Sequence, residues 1–183
     1  MAALDATKAF DRVNHIKLFH RLLDKGMPLF VVKIIANWYS KNNATVRWNN
    51  HHSEFFHVKS GVRQGGVLSP TLFSVYIDTI VDALVKSDLG CRVMGQYMGC
   101  LLYADDLILL SASVCKLQEM LNICYYVGSG IDMKFNARKS SLLCVGKHLL
   151  SNIDDLHVGN EDITWKDSIK YLGVWLCYGK RLI

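Results

Sequence analysis

Two adjacent carboxylates, Asp105 and Asp106, are the residues whose types and spacing most directly indicate chemistry in this chain. They follow Tyr103 and Ala104 and precede the apolar run 107–110, so the pattern predicts a hairpin turn between two strands. Neighbouring negative charges in a partly dry setting are costly unless a cation compensates them. Carboxylate oxygens are the ligands that Mg²⁺ prefers, and phosphoryl transfer by two metal ions needs carboxylates that bridge the ions. For an Asp-Asp pair taken alone, a solvated turn is the alternative.

Asp5 is the candidate for a third carboxylate ligand. It follows Leu4 at the end of a short apolar segment, which we expect to form a strand beside the hairpin of Asp105 and Asp106. A single strand turn would not complete a two-metal site, which needs a carboxylate from elsewhere. The sequence therefore predicts that these three aspartates lie together and bind metal.

Helices and strands interleave along the sequence, and these elements must position the carboxylates. Periodicity predicts helices over 12–25, from Pro28 to about Trp38, over 69–86 and over 113–126. Strands are predicted over 44–49 and 54–59 around a turn at 50–53, on both sides of 104–106, near 133–135, over 142–145, and in a final hairpin over 157–176. Ser69 and Pro70 are the predicted N-cap and first residue of the third helix, and Pro28 suits the first turn of the second. The order predicts an α+β fold with a mainly antiparallel sheet packed on helices.

Composition restricts the class of protein. Hydrophobic residues make up 51% and charged residues 20% of 183, which is typical of a folded domain, and no linker or repeat divides the chain. The net charge of +5 modestly favours a polyanionic partner. Six cysteines without metal-site spacing indicate reduced thiols, and neither a signal sequence nor a long apolar run is present. We therefore expect an intracellular protein, nuclear or cytoplasmic, that is not secreted and does not contact a membrane.

Five sequence strings occur in an order that resembles the reverse transcriptase domain of non-LTR (LINE-type) retrotransposons. The family patterns D-x-x-K-A-F-D and N-x-x-K match residues 5–11 and 136–139. The glycine-rich string 60–70 (SGVRQGGVLSP) and the YADD string 103–106 match two further family motifs, and the KYLG string 170–173 matches a fifth. Group II intron and retron reverse transcriptases share YADD, and RNA-dependent RNA polymerases commonly place Gly before the aspartates. The strings 8–11 and 63–66 favour the non-LTR group.

The resemblance implies a polymerase palm with part of the fingers, forming a single domain over 1–183. On this interpretation the upstream fingers and the thumb are missing, so the chain is truncated at both ends. The implied function is that of an RNA-directed DNA polymerase core that joins a dNTP to a primer 3′-hydroxyl. The implied cofactors are two Mg²⁺ ions, for which Mn²⁺ can substitute, and the implied partners are an RNA template, a DNA primer and dNTP. The alternative is a catalytically inactive remnant of a mobile element that keeps the palm fold and weak nucleic-acid binding.

The resemblance also implies roles for single residues. Asp5, Asp105 and Asp106 would be the catalytic metal ligands, and Lys139 would protonate the pyrophosphate or hold its charge. Tyr103 would pack near the primer end. For Lys139 the alternative is an exposed lysine in a polar turn, and for Tyr103 it is simple burial.

Two further groups of residues would contact substrate. Phe10 would exclude a 2′-hydroxyl, although a core phenylalanine is the alternative, and the nucleotide would also contact Arg63, Gln64 and Gly65. A tight connection that needs positive φ is the alternative for the glycine-rich loop. The primer backbone would contact Lys170, Tyr171 and Gly173, where the alternative is an ordinary hairpin glycine. Other candidates for template or nucleotide contacts are Arg12, Arg47, Trp48, Lys59 and Arg63.

Overall fold

The computed structural model describes residues 1–145 and 155–178. The chain divides into two compact units, one formed by Met1–Thr7 with Asp78–Ile183 and the other by Lys8–Ile77. Whether the two units act as the single domain expected for 1–183 stays a prediction.

The elements are, in chain order, β1 Ala2–Asp5, α1 His15–Asp24, α2 Leu29–Tyr39, β2 Asn43–Ala44, β3 Arg47–Trp48, β4 His51–His52, β5 Phe56–His57, α3 Ser69–Lys86, β6 Arg92–Val93, β7 Gln96–Tyr97, β8 Cys100–Tyr103, β9 Asp106–Leu109, α4 Val114–Gly130, β10 Ser141–Leu142, β11 Leu156–Val158, β12 Glu161–Ile163, β13 Ser168–Tyr171 and β14 Val174–Cys177.

A four-stranded antiparallel sheet is the centre of the first unit, in the strand order β10-β1-β9-β8. Successive strand residues point to opposite faces, yet Leu107, Ile108 and Leu109 of β9 are all buried. Both faces of the sheet are therefore covered at this strand. The mixture of helices with a mainly antiparallel sheet confirms the α+β class.

The second unit contains α1 and α2 packed on each other. Asn14 caps α1, because its side-chain oxygen accepts hydrogen bonds from the backbone N–H groups of Ile16 (3.1 Å) and Lys17 (3.2 Å). Buried Leu18 and Leu22 of α1 and Val32 of α2 belong to the apolar core of this unit. A short 3-10 helix at Phe10–Arg12 precedes α1, which therefore begins later than the predicted residue 12.

A hairpin extends over residues 43–57 of the second unit, which we call the ribbon. β2 pairs with β5 and β3 pairs with β4, so the predicted hairpin is confirmed. The turn lies at Asn49-Asn50 instead of 50–53. Both residues have positive φ (42° and 67°), a conformation that asparagine tolerates better than most residues.

Other boundaries also differ from the sequence predictions. The region 133–135 forms one isolated bridge instead of a strand, and 157–176 contains two hairpins, β11–β12 and β13–β14, instead of one. Pro28 is the N-cap of α2 with an extended ψ of 135°, so it precedes the helix. The third helix, Ser69–Lys86, ends where predicted, but Ser69, the predicted N-cap, is its first residue. In the part of the chain that the structure describes, we find no helix with the length and apolar character needed to cross a membrane.

Candidate active site

Asp5 and Asp106 lie directly opposite each other on neighbouring strands. The register of β1 and β9 pairs Asp5 with Asp106, and the register of β8 and β9 pairs Tyr103 with Asp106. Directly paired residues of an antiparallel sheet point to the same face, with Cβ atoms about 4.5–5.5 Å apart. The predicted position of the Asp5 strand beside the hairpin is thus confirmed.

The turn between β8 and β9 contains Ala104 and Asp105. Ala104 has a φ of +51°, in the left-handed region that costs a non-glycine residue about 1–2 kcal/mol. Asp105 is half-buried, whereas Tyr103 is 64% exposed, so simple burial of Tyr103 is excluded. Ala104, which lies between Tyr103 and the two adjacent carboxylates, therefore has a strained backbone conformation.

The local electrostatics are those of crowded negative charge. Partial burial, followed by the charges of Asp105 and Asp5, raises the pKa of Asp106 above its ordinary value. The amine of Lys139 lies 4.0 Å from the carboxylate of Asp5. Because these side chains are 68% and 37% exposed, water screens this ion pair and it offsets only part of the repulsion.

Hydrogen bonds from the segment 136–140 position both Asp5 and Lys139. The backbone N–H of Asn136 donates to the carbonyl oxygen of Asp5 (2.9 Å), and the N–H of Asp5 donates to the hydroxyl of Ser140 (3.2 Å). The Ser140 hydroxyl donates to the Asn136 carbonyl (2.7 Å). Ser140 is 1% exposed and is a positioning residue that the sequence patterns did not reveal.

A cavity of about 470 Å³ opens beside the carboxylates within the first unit. It brings Asp5, Asp106 and Lys139 together with Lys170 and Tyr171 of β13, both predicted to contact the primer. The pKa of Tyr171 is raised, by burial first and then by the charges of Asp106 and Cys100. Two lining residues, Lys166 and Trp175, were not predicted, because neither belongs to a recognisable string. The amine of Lys170 lies 6.0 Å from the centre of the Trp175 ring, within the range of a cation–π interaction.

Gly173 serves the turn between β13 and β14 and makes no close approach to another atom. A Cβ added there would meet nothing within 4 Å, but the φ of +85° is one that glycine adopts most easily. Leu172 before it has a φ of 48°. Positive φ suits an ordinary hairpin glycine, and the open space beside it leaves room for a primer backbone, so the primer contact of Gly173 stays a prediction.

The donor atoms at this site suit a hard divalent cation, since carboxylate oxygens are the ligands that Mg²⁺ prefers. The pairing of Asp5 with Asp106 supplies two carboxylates side by side. Among residues 1–145 and 155–178, however, no group of three or more His, Cys, Asp or Glu side chains is arranged to hold a metal ion, so the three aspartates do not form such a group together. The backbone register of Asp5 and Asp106 and the chemistry of their oxygens fit a divalent cation.

In the second unit, the glycine-rich string docks on the segment that carries Phe10. The N–H of Val62 donates to the carbonyl of Phe10 (2.8 Å), and the N–H of Gly61 donates to the carbonyl of Val13 (2.8 Å). A Cβ on Gly61 would lie 3.0 Å from two backbone atoms of Asp11, and the φ of Gly61 is +90°. Gly61, which the sequence patterns did not single out, is therefore required by both conformation and space.

This docking brings several predicted nucleotide contacts into one unit. The ring of Phe10 stacks on Phe73, with centroids 4.3 Å apart, and is half-buried. This position fits both predictions for Phe10, exclusion of a 2′-hydroxyl and a place in the core. Gln64 is exposed and its amide lies 3.5 Å from the Asp11 carboxylate. Gly65 has a φ of +79° with open space around it, and the exposed Arg63 lies beside Gln64 in the walls of two cavities.

Comparison with known proteins identifies the family of this chain. The family model described as reverse transcriptase (RNA-dependent DNA polymerase) matches residues 1–176. The chain belongs to the reverse transcriptase family. Reverse transcriptases use divalent metal ions, template, primer and dNTP, which agrees with the cofactors and partners expected in general terms.

The relatives come from non-LTR retrotransposons, which confirms the group indicated by the strings. The chain is 29% identical to the Retrovirus-related Pol polyprotein from type-2 retrotransposable element R2DM of Drosophila melanogaster, over 95% of the chain and 17% of that protein. It is 30% identical to the Pol polyprotein of the R2 element of Nasonia vitripennis, over 95% of the chain and 18% of that protein. It is 25% identical to the RNA-directed DNA polymerase from mobile element jockey of Drosophila funebris, over 94% of the chain and 19% of that protein. The chain thus spans less than a fifth of the length of these relatives.

Proposed function

We propose that this chain is the core of an RNA-directed DNA polymerase, a polymerase palm with part of the fingers, that adds a dNTP to a primer 3′-hydroxyl on an RNA template. The observation that carries the proposal is the register that pairs Asp5 with Asp106 at the end of the central sheet, beside the turn of Asp105. Two Mg²⁺ ions held by these carboxylates would supply activation of the hydroxyl and charge stabilisation at the phosphates, and Mn²⁺ has similar chemistry. The side chains themselves mainly position charge.

The remaining cavity residues have roles that follow from their charges. In the reaction a bond forms between the primer O3′ and the α-phosphorus, and the bond from the α-phosphorus to the bridging oxygen breaks to release pyrophosphate. Lys139 is proposed to hold the negative charge of pyrophosphate or to protonate it, because its amine lies 4.0 Å from Asp5. Lys170 and Tyr171 line the same cavity and are proposed to contact the primer backbone.

The contacts proposed for the incoming nucleotide lie in the second unit. Phe10 would exclude a ribose 2′-hydroxyl with the part of its ring that Phe73 does not cover, and Arg63 and Gln64 would contact the nucleotide from the exposed loop. Tyr103, opposite Asp106 and 64% exposed, would contact the primer end. Exposure of Arg63, Gln64 and Tyr103 supports their proposed roles.

The test is Mg²⁺-dependent primer extension on poly(rA)/oligo(dT) by the 183-residue chain. Asp105→Asn removes a negative charge while keeping the size, so we expect extension to fall roughly 100-fold or more, since ligands of this kind account for several kcal/mol of transition-state stabilisation. Asp162→Asn is the matched control, because Asp162 is an exposed residue of β12 outside the cavity. Wild-type extension by the Asp105 variant would contradict the proposal.

A second candidate function is that of a non-catalytic remnant of a mobile element with weak nucleic-acid binding. What favours it is that the side chains of Asp5, Asp105 and Asp106, all in the described part of the chain, are not arranged as one metal-binding group. On this alternative, folded wild-type protein binds primer-template but shows no extension at any Mg²⁺ or Mn²⁺ concentration. The extension assay therefore separates the two candidates.

A further inference from the structure

The ribbon exposes aromatic side chains that contribute nothing to a core. Trp48 is 78% exposed, Phe55 79% and Phe56 50%, and every residue from 46 to 57 is exposed. Exposed apolar area forgoes about 25 cal/mol per Å² of stabilisation relative to burial. These rings therefore add little to the stability of the isolated chain, and they are accessible to a ligand.

Hydrogen bonds, not burial, hold the shape of the ribbon. The hydroxyl of Thr45 donates to the carbonyl of Ser53 (2.8 Å), and the N–H of Val46 donates to the Ser53 hydroxyl (2.9 Å). The N–H of Ser53 donates to the carbonyl of Val46 (2.9 Å). The rings are thus presented on a defined scaffold before any ligand binds, which lowers the cost of ordering them on binding.

Positive charge accompanies the aromatic rings. The stretch 41–59 contains three cationic side chains, Lys41, Arg47 and Lys59, against the single carboxylate of Glu54, and it adds three histidines. In the ladder Trp48 pairs with His51 and Arg47 pairs with His52, so the indole and the guanidinium occupy opposite faces of the same tip. Aromatic rings for stacking next to cations for phosphates are the features of proteins that bind single-stranded nucleic acid.

A concave surface leads from the base of the ribbon to the glycine-rich loop. One cavity of about 640 Å³ is lined by residues 42–45 and Val58 at the ribbon base and by 60–64 of the loop. A second cavity, of about 400 Å³, is lined by Trp38 and by 63–69. The two cavities share Asn42, Arg63 and Gln64, so one path connects the ribbon to the predicted nucleotide contacts within this unit.

We propose that the ribbon binds an unpaired nucleic-acid strand that passes around its tip, with bases stacked on the exposed rings of Trp48 and Phe55 and a phosphate in contact with Arg47 on the face opposite Trp48. The proposal deepens the proposed function, on which it rests for identifying the strand as template that has not yet been copied. Stacking on an exposed ring tolerates any base, as a template-binding surface requires. Protein interfaces are also rich in aromatic residues and arginine, but they are depleted of lysine, so Lys41 and Lys59 and the net positive charge of this stretch favour a polyanionic strand.

The test measures fluorescence anisotropy of labelled (rU)20, labelled (dT)20 and a blunt RNA duplex with the full 183-residue chain. Trp48→Ala and Phe55→Ala are each expected to raise the Kd for the single strands roughly 5- to 150-fold, the range for loss of one stacked base. Arg47→Gln is expected to reduce the salt slope of log Kd by about 0.7, the value for one phosphate contact on a single strand. Phe30→Ala is the matched control, because Phe30 of α2 is also aromatic and 67% exposed.

The outcomes separate this proposal from the proposed function. The proposal is supported if only the ribbon variants bind single strands more weakly and duplex binding changes little. The ratio of the affinities for (rU)20 and (dT)20 then tells whether the ribbon prefers RNA or DNA. No binding of single strands, or a Kd change equal to that of Phe30→Ala, overturns the proposal and leaves a protein partner as the explanation of the exposed rings. Asp162→Asn, the control variant of the extension assay, should bind both oligonucleotides as the wild type does, because Asp162 is an exposed residue of β12 outside the cavity. The binding assay of the ribbon variants therefore tests only the ribbon proposal, and the extension assay of Asp105→Asn tests only the proposed polymerase function.

Discussion

Replacement of Gly61 by alanine tests how the glycine-rich string docks on the segment of Phe10. The added Cβ would lie 3.0 Å from the Cα and carbonyl oxygen of Asp11, and 3.1 Å from the carbonyl oxygen of Phe10. These are backbone atoms, so they cannot move aside by rotation of a side chain. The φ of +90° adds a second cost, because an L-residue rarely adopts it.

The magnitude follows from these two costs. A left-handed conformation costs a non-glycine residue about 1–2 kcal/mol, and overpacking of a tight contact costs about 1–3 kcal/mol more. We expect Gly61→Ala to lower the free energy of unfolding by about 2–5 kcal/mol. Gly26→Ala is the matched control, since Gly26 has a φ of +83° with nothing within 4 Å of its added Cβ, so it carries only the cost of about 1–2 kcal/mol.

The assay is urea unfolding of both variants, followed by circular dichroism and by tryptophan fluorescence. If the string docks as described, Gly61→Ala loses more stability than Gly26→Ala by about 1–3 kcal/mol, the contribution of the contact alone. Equal losses in the two variants would refute the close approach of Gly61 to Asp11. A smaller loss in Gly61→Ala would refute the left-handed conformation as well.

Two further changes address the first strand turn and the nucleotide contact. Ala104→Gly should raise the urea midpoint and increase the free energy of unfolding by about 0.5–1 kcal/mol, because relief of the strained φ of +51° outweighs the added flexibility of the unfolded chain. A lower midpoint would contradict strain at this turn. Phe10→Val should increase rNTP incorporation relative to dNTP in primer extension by roughly 10-fold or more if the ring excludes the 2′-hydroxyl. Unchanged selectivity with a lower free energy of unfolding would instead assign Phe10 to the core through its stack on Phe73.

The sequence predicted those elements in which apolar residues recur at a regular spacing and a recognisable residue marks the end of the element. Helix α3 begins at Ser69, next to Pro70, and continues with buried apolar residues at helical spacing, and both of its ends were predicted. The two strands around Ala104 and Asp105 were predicted for the same reason, since apolar runs flank a polar turn. Local signals suffice where the chain turns within a few residues.

Elements that depend on distant partners were predicted less well. The segment 133–135 has strand-forming residues, but Phe135 makes only an isolated bridge with Ala6. Two hydrogen bonds form this bridge, from the N–H of Thr7 to the carbonyl of Lys134 and from the N–H of Asn136 to the carbonyl of Asp5. The sequence did not reveal the roles of Ser140 and Lys166, because a serine next to a lysine in a turn and a lysine before a hairpin are both common. Only the fold brings them to the backbone of Asp5 and to the carboxylate cavity.

The pairing of Asp5 with Asp106 is itself a consequence of core packing, although their positions in the chain are far apart. The same register that joins them also pairs Leu4 with Leu107, which are 2% and 1% exposed, and Ala2 with Leu109, both fully buried. A slip of one residue would turn every side chain of β1 to the other face, moving Leu4 to the half-buried side that Ala3 and Asp5 now occupy and burying the carboxylate of Asp5 without a partner. Burying an unpaired carboxylate costs several kcal/mol, and exposing a leucine costs about 1.5–3 kcal/mol more. The hydrophobic alternation of β1 therefore selects the register, and the carboxylates are brought together because the apolar residues beside them must be buried.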